Sequence, residues 1–122
     1  MRPYADEEEK AEMNDCHEAN IKYMRAFLAK IGHKKGGTAL DVGCGDGRVT
    51  IDLLAESYDI VDCFDLDYDA VEIAKSKTFT IPNVRYVDCK SMEAYQFKDQ
   101  YNGIFLVWCV GYLKDKDLVA FL

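Results

Sequence analysis

Gly43, Gly45 and Gly47 stand at alternate positions in the run Thr38-Ala39-Leu40-Asp41-Val42-Gly43-Cys44-Gly45-Asp46-Gly47-Arg48-Val49-Thr50. The run reads as a buried strand, a glycine bend and a helix start. Glycines so placed let the backbone take positive φ and let a ligand approach where a Cβ would collide. Amides at the following helix start would face that ligand, so a nucleotide-type occupant is expected. About 20 residues further on, where a dinucleotide-type fold places its ribose acceptor, Asp65 ends a second apolar stretch. A carboxylate there can accept hydrogen bonds from both ribose hydroxyls. A glycine turn after a strand can be merely a tight connection, but three alternating glycines followed by Asp65 favour ligand binding.

The nicotinamide fingerprint is G-x-G-x-x-G, and Arg48 stands where its third glycine should be. The spacing departs from a dinucleotide site and suits a ligand without a pyrophosphate. Arg48 could pair with a carboxylate such as the methionine tail of S-adenosyl-L-methionine. Ligands of open α/β sheets sit at the carboxyl ends of strands, which also brings in Asp88 and Cys89 on the third strand and Val107 and Trp108 on the fourth. Asp88 is read as approaching an adenine, with turn capping as the alternative. Asp41 is either a structural acceptor for loop amides or a cofactor contact. Cys44 sits where a ligand could touch it. Asp67 and Asp69 are expected to cap the next helix. His17 and His33 lack a partner motif and are read as surface or loop residues. A lone Trp in an apolar strand, such as Trp108, is more often core than substrate wall.

The elements that must position these residues alternate: strand 38–43, helix 47–56, strand 59–65, helix 68–77, strand 83–88, a turn or short helix near 91–95, strand 103–110 and a helix from Asp115. Such a series predicts a parallel sheet with flanking helices. A helix carrying Ile21, Met24, Phe27, Leu28 and Ile31 precedes it, with Gly32 as its stop. Residues 1–15 are acidic without a clear period and are expected to form an arm, leaving 16–122 as one ligand-binding domain, incomplete at its C-terminal end. The run 104–110 has no polar alternate face, as in a strand covered on both sides. With no further strand beside it, pairing of two copies along 103–110, or a longer parent protein, is expected.

Composition narrows the classes. The chain has 122 residues, 49% hydrophobic and 30% charged, with a net charge of −7. That charge disfavours nucleic acid and anionic membranes and suits a cationic partner. No run is long enough for a membrane helix and no leader pattern is visible, so the cytoplasm or nucleus is the expected location. Five cysteines, odd in number and with no C-x-x-C pair, are read as reduced thiols rather than a disulfide framework or zinc site.

On Leu40-Asp41-Val42-Gly43-Cys44-Gly45-Asp46-Gly47, the sequence resembles the class I S-adenosylmethionine-dependent methyltransferases. On 101–113 and 117–122 it is similar, more narrowly, to the protein α-N-terminal (Xaa-Pro-Lys) methyltransferases. The resemblance implies a Rossmann-like fold with S-adenosylmethionine as cofactor and a cationic protein N-terminal tail as substrate. It further implies that Gly43 and Arg48 hold the methionine part and that Asp65 with Leu66 holds the ribose. Met92 and Glu93 would line the adenine pocket, and the Val107 backbone would lie near the methionine end. Trp108 would become an aromatic wall beside the substrate. Two positions depart from that family: a typical Gln is Val107, and the His that handles the substrate amine is Tyr112. The family's further catalytic Asn and Asp would fall beyond Leu122, so the residues present point to cofactor binding more than to turnover. The rival expectations are an incomplete cofactor-binding half-domain acting in assembly and a small-molecule methyltransferase. A nicotinamide oxidoreductase fragment is disfavoured by Arg48.

Overall fold

The computed structural model describes residues 7–107; readings placed on 108–122, Trp108 and Tyr112 among them, lie outside the described residues. The first helix, α1 (Glu7–Lys30), begins at Glu7 rather than after Asp15, so most of the stretch expected as an arm is helical. Its first described turns are Glu-Glu-Glu-Lys-Ala-Glu-Met, mostly strong helix formers. Propensity favours a helix there without any apolar stripe. The helix stops at Gly32, φ 74°, where the Gly32 N–H donates to the Ala29 carbonyl at 3.1 Å and the His33 N–H to that of Leu28 at 2.9 Å. Those two bonds satisfy carbonyls that the helix end would leave open. Leu28 is buried and Ile21 and Met24 pack beside it, but Phe27 and Ile31 are 46% and 59% exposed. The packed face of α1 is therefore narrower than the sequence period suggests.

Strands β1 (Thr38–Val42), β2 (Ile60–Asp65), β3 (Val84–Cys89) and β4 (Gly103–Phe105) form one sheet in the order β3-β2-β1-β4. All three pairings are parallel, as the alternating pattern requires. Helix α2 (48–57) joins β1 to β2 and has a π-helical middle, Thr50–Leu54. Thr50, Leu53 and Leu54, at i, i+3 and i+4, are its buried face. Helix α3 (Tyr68–Thr78) is capped by Asp67, whose Oδ1 accepts from the N–H groups of Asp69 at 3.0 Å and Ala70 at 3.4 Å. Asp67 alone does the capping; Asp69 is a donor to it. Leu40, Leu53, Leu54, Val61 and Val71 are wholly buried, each contributing roughly 1.5–3 kcal/mol.

The fourth strand closes at Phe105, short of the expected 110. Phe105 turns inward against Tyr58, ring centroids 5.7 Å apart and edge-on. Its neighbours Ile104 and Leu106 are 56% and 40% exposed, so the described part of this strand is covered on one face only.

β2 is locked to β3 by Asp62, which is wholly buried. Its carboxylate accepts from Arg85 Nε at 3.0 Å and Nη2 at 2.7 Å, and from the Tyr101 hydroxyl at 2.7 Å. Burial alone would raise the Asp62 pKa; the bonds from Arg85 and Tyr101 outweigh it and hold the group below the usual carboxylate value. Cys44, Cys63 and Cys89 are free thiols. Cys16 departs from the all-reduced reading because it is disulfide-bonded: an absence of paired spacing argues against a framework, not against a single bond. No described helix is long and apolar enough to cross a membrane.

Candidate functional site

The turn after β1 bends through Gly43, Gly45 and Gly47 at φ 70°, 56° and 90°, a region costly for any residue with a Cβ. Backbone and side chain at the end of β2 hold it in place. The N–H groups of Gly43 and Cys44 both donate to the Phe64 carbonyl at 3.0 Å. The Gly45 N–H donates to Asp65 Oδ2 at 2.8 Å, while Asp65 Oδ1 accepts from the Asp67 N–H at 2.9 Å. Gly47 meets α3 closely: a Cβ there would lie 3.3 Å from that of Ala74.

Two clefts adjoin at Gly43. The smaller, about 320 Å³, brings together Gly43, Asp65, Leu66, Met92 and Glu93, the set expected around ribose and adenine. It adds Phe64, Lys90 and Ser91, which sequence reasoning missed. Lys90 directly follows β3, and its N–H donates to the Asp65 carbonyl at 2.9 Å. The strand-end rule could have found it. The larger cleft, about 420 Å³, brings Gly43, Cys44, Gly45, Arg48 and Val107 together and adds His17 and Asn20 from α1. Arg48 Nε lies 3.7 Å from Asp46 Oδ2, with its side chain 39% exposed. That loose pairing leaves the guanidinium able to take a carboxylate.

Asp88 and Cys89 line neither cleft. The Asp88 carboxylate is taken by Lys98, whose ammonium also sits 4.9 Å and 5.0 Å from the ring centroids of Tyr86 and Tyr95. The Cys89 thiol is exposed and donates to the Leu66 carbonyl at 3.5 Å. Of the two histidines read as surface or loop residues, His17 lies on α1 with its Nε2 2.8 Å from Asp52 Oδ2, and His33 lies in the loop after α1 with its Nε2 2.7 Å from the Ser57 carbonyl.

Asp41 is wholly buried and accepts the Thr50 hydroxyl at 2.7 Å. Its place is that of an internal acceptor, lining neither cleft. Burial pushes its carboxyl up to about 7, against the opposing effect of the Thr50 bond and with a further push from Asp65. The Cys44 thiol is pushed far up by the neighbouring Cys63 thiol, by burial and by the Asp41 and Asp65 carboxylates. It is a neutral wall residue rather than a nucleophile.

These features fit S-adenosylmethionine. Each Asp65 oxygen accepts one amide and keeps lone-pair capacity for a ribose hydroxyl. Phe64, Leu66 and Met92 offer apolar surface to a purine on one side of Gly43, and Arg48 offers a cation to a carboxylate on the other. Among the described residues no cluster of side chains could hold a metal ion.

The family described as AdoMet dependent proline di-methyltransferase matches residues 10–122. The Bos taurus N-terminal Xaa-Pro-Lys N-methyltransferase 1 is 35% identical over 107 residues, covering 83% of this chain and 47% of the relative. The chain thus spans about half the length of the curated relatives it matches. Among solved structures, a SAM-dependent methyltransferase from Leishmania major superposes with a TM-score of 0.71 at 32% identity, over 89% of this chain and 44% of that one. Magnesium protoporphyrin IX methyltransferase from Synechocystis, with bound SAM, shares the fold with a TM-score of 0.64 at 20% identity, over 85% of this chain and 50% of its own.

Proposed function

The chain belongs to the AdoMet-dependent proline di-methyltransferase family, and from that membership we propose that it binds S-adenosylmethionine for methyl transfer to the α-amine of protein N-termini beginning Xaa-Pro-Lys. One observation carries the cofactor half of this reading: two clefts of different character adjoin at Gly43, with Asp65 on one and Arg48 on the other. An elongated ligand with an aromatic base, a sugar and a charged amino-acid tail matches that division. The relatives' name supports the acceptor, and a net charge of −7 suits a tail carrying a free amine and a lysine.

In this reading Asp65 accepts the ribose hydroxyls while its Oδ2 keeps Gly45 in place and its Oδ1 holds the Asp67 N–H. Arg48 takes the α-carboxylate. Phe64, Leu66 and Met92 exclude water from the base. When bound, the cofactor would supply a methyl group on a cationic sulfur: the unprotonated amine would bond to the methyl carbon in line as the C–S bond breaks, leaving a neutral thioether and a methylated nitrogen that sheds its proton. The chain's share of the work is to fix that sulfur's surroundings before the amine arrives.

Calorimetric titration with S-adenosylhomocysteine tests the cofactor half, and mass analysis of a peptide beginning Ser-Pro-Lys, with its α-acetylated twin as control, tests the acceptor. Binding with methylation of the free amine alone is expected. Failure of the folded chain to bind refutes the cofactor half. Binding with no methyl added refutes the acceptor half and leaves a cofactor-binding domain.

A further inference from the structure

We propose that Lys77 is a positioning residue for Arg48: by holding the Asp46 carboxylate it keeps the guanidinium open for the cofactor's α-carboxylate. The inference rests on the cofactor reading above. Asp46 stands between Gly45 and Gly47 in the glycine loop and lines the larger cleft beside Arg48. One of its oxygens, Oδ2, faces two cations, Lys77 Nζ at 3.3 Å and Arg48 Nε at 3.7 Å. The first distance is a hydrogen bond, and the second is too long to be one. Lys77 and Arg48 also share a second groove with Ile51 and Asp52. The carboxylate of Asp52 is bonded to His17 Nε2 at 2.8 Å, which leaves Asp46 as the acid in contention for Arg48.

Packing brings the lysine there. A Cβ placed on Gly47 would lie 3.3 Å from the Ala74 Cβ, so the glycine loop and α3 meet at that point. Lys77 follows Ala74 by three residues and lies on the same side of the helix. Lys75, the other cation of the last turn, is turned to Glu72 Oε1 at 3.5 Å. Without Lys77 the remaining cation beside Asp46 is Arg48, two residues along a loop whose backbone is held by Phe64 and Asp65. That pair would then close, and a ligand carboxylate would have to break it to reach the guanidinium. With Lys77 in place the Asp46 charge is already met, and Arg48 keeps its donors for the ligand. The three side chains are between 33% and 44% exposed, so solvent screening holds the effect to that of a surface ion pair.

The test is calorimetric titration with S-adenosylhomocysteine on the parent, Lys77→Ala, Asp46→Asn and the double variant. Methylthioadenosine, which keeps the base, ribose and thioether but lacks the amino-acid tail, is measured beside it by displacement of S-adenosylhomocysteine. Lys77→Ala is expected to bind S-adenosylhomocysteine about threefold more weakly, and methylthioadenosine as the parent does. Asp46→Asn leaves no charge to compete for Arg48 and is expected to bind S-adenosylhomocysteine at least as tightly as the parent. The double variant should match Asp46→Asn, because the lysine matters only while the carboxylate is there. A general loosening of α3 would produce neither the tail-specific loss nor the rescue. Parent-like affinity for S-adenosylhomocysteine in Lys77→Ala, an equal loss for both ligands, or a loss that survives in the double variant would each overturn the inference while leaving the cofactor reading intact. So would weaker binding by Asp46→Asn, which would make Asp46 a ligand contact rather than a competitor. Absence of S-adenosylhomocysteine binding by the folded parent would overturn both.

Discussion

Replacing Asp41 with asparagine is expected to stabilise the protein at pH 8 by about 3 kcal/mol and to weaken it by about 1 kcal/mol at pH 4. The carboxyl is wholly buried, and its pKa is pushed up from 3.8 to about 7. A folded-state value above the unfolded one means that the native protein binds the proton more tightly. No stability is lost below about pH 4, where both states are protonated; it falls as pH rises and is fully lost once the native carboxyl ionises near pH 7. At about 1.4 kcal/mol per unit, a separation of roughly three units gives a loss of about 4 kcal/mol. Asparagine is neutral throughout, and its carbonyl can still accept the Thr50 hydroxyl. Its second N–H needs an acceptor that the acid did not need, which subtracts about 1 kcal/mol. Urea unfolding followed by circular dichroism at pH 4, 6 and 8 reads the difference between variant and parent directly. A difference that stays flat across that range would refute the reasoning, because it would mean that buried donors keep Asp41 ionised at every pH.

The same carboxyl leads to a second prediction: S-adenosylmethionine, cationic at sulfur, should release more protons on binding near pH 7 than S-adenosylhomocysteine, whose sulfur is neutral, measurable by calorimetry in buffers of different ionisation enthalpy. Gly47→Ala is expected to cost about 2–3 kcal/mol in urea unfolding, against about 1–2 kcal/mol for Gly45→Ala. Both residues have positive φ, but only Gly47 has a neighbouring Cβ at 3.3 Å; equal costs would discount the contact with Ala74. Asp67→Ala should lose about 1 kcal/mol by removing the cap of α3, and unchanged stability would show that solvent replaces it. Arg85→Ala should cost about 3 kcal/mol or more, because it strands the buried Asp62 carboxylate; a smaller loss in the same assay would show that water reaches Asp62.

The glycine turn, its strand and the place of Asp65 were legible because local chemistry dictates them: glycine takes those backbone angles at least cost, and the residue that closes β2 lies beside the turn that closes β1. The Asp67 cap was legible for the same reason. Asp88 was not, because position at a strand end says where a side chain starts and not which neighbour claims it. Lys98, ten residues later, takes its carboxylate. The pairing of His17 with Asp52 joins residues 35 apart across two helices, and no spacing rule reaches that far. The π-helical turn in α2 escaped because both its composition and its buried face, Thr50, Leu53 and Leu54, suit an ordinary helix. The start of α1 at Glu7 was missed for the opposite reason, since the criterion applied was amphipathic period and these turns form on propensity.

The ties that shape the glycine loop have a consequence for how the protein acquires its site. Gly45 is fastened to Asp65, 20 residues away, and Gly43 and Cys44 to Phe64. All of these ties fall within a single strand-helix-strand unit. Closing so short a loop costs little chain entropy, and contacts of low sequence separation form early. The glycine loop can therefore take its shape while β3 and β4 are still unpaired, and the remaining cleft walls at Lys90, Met92, Glu93 and Val107 are added around a loop already formed.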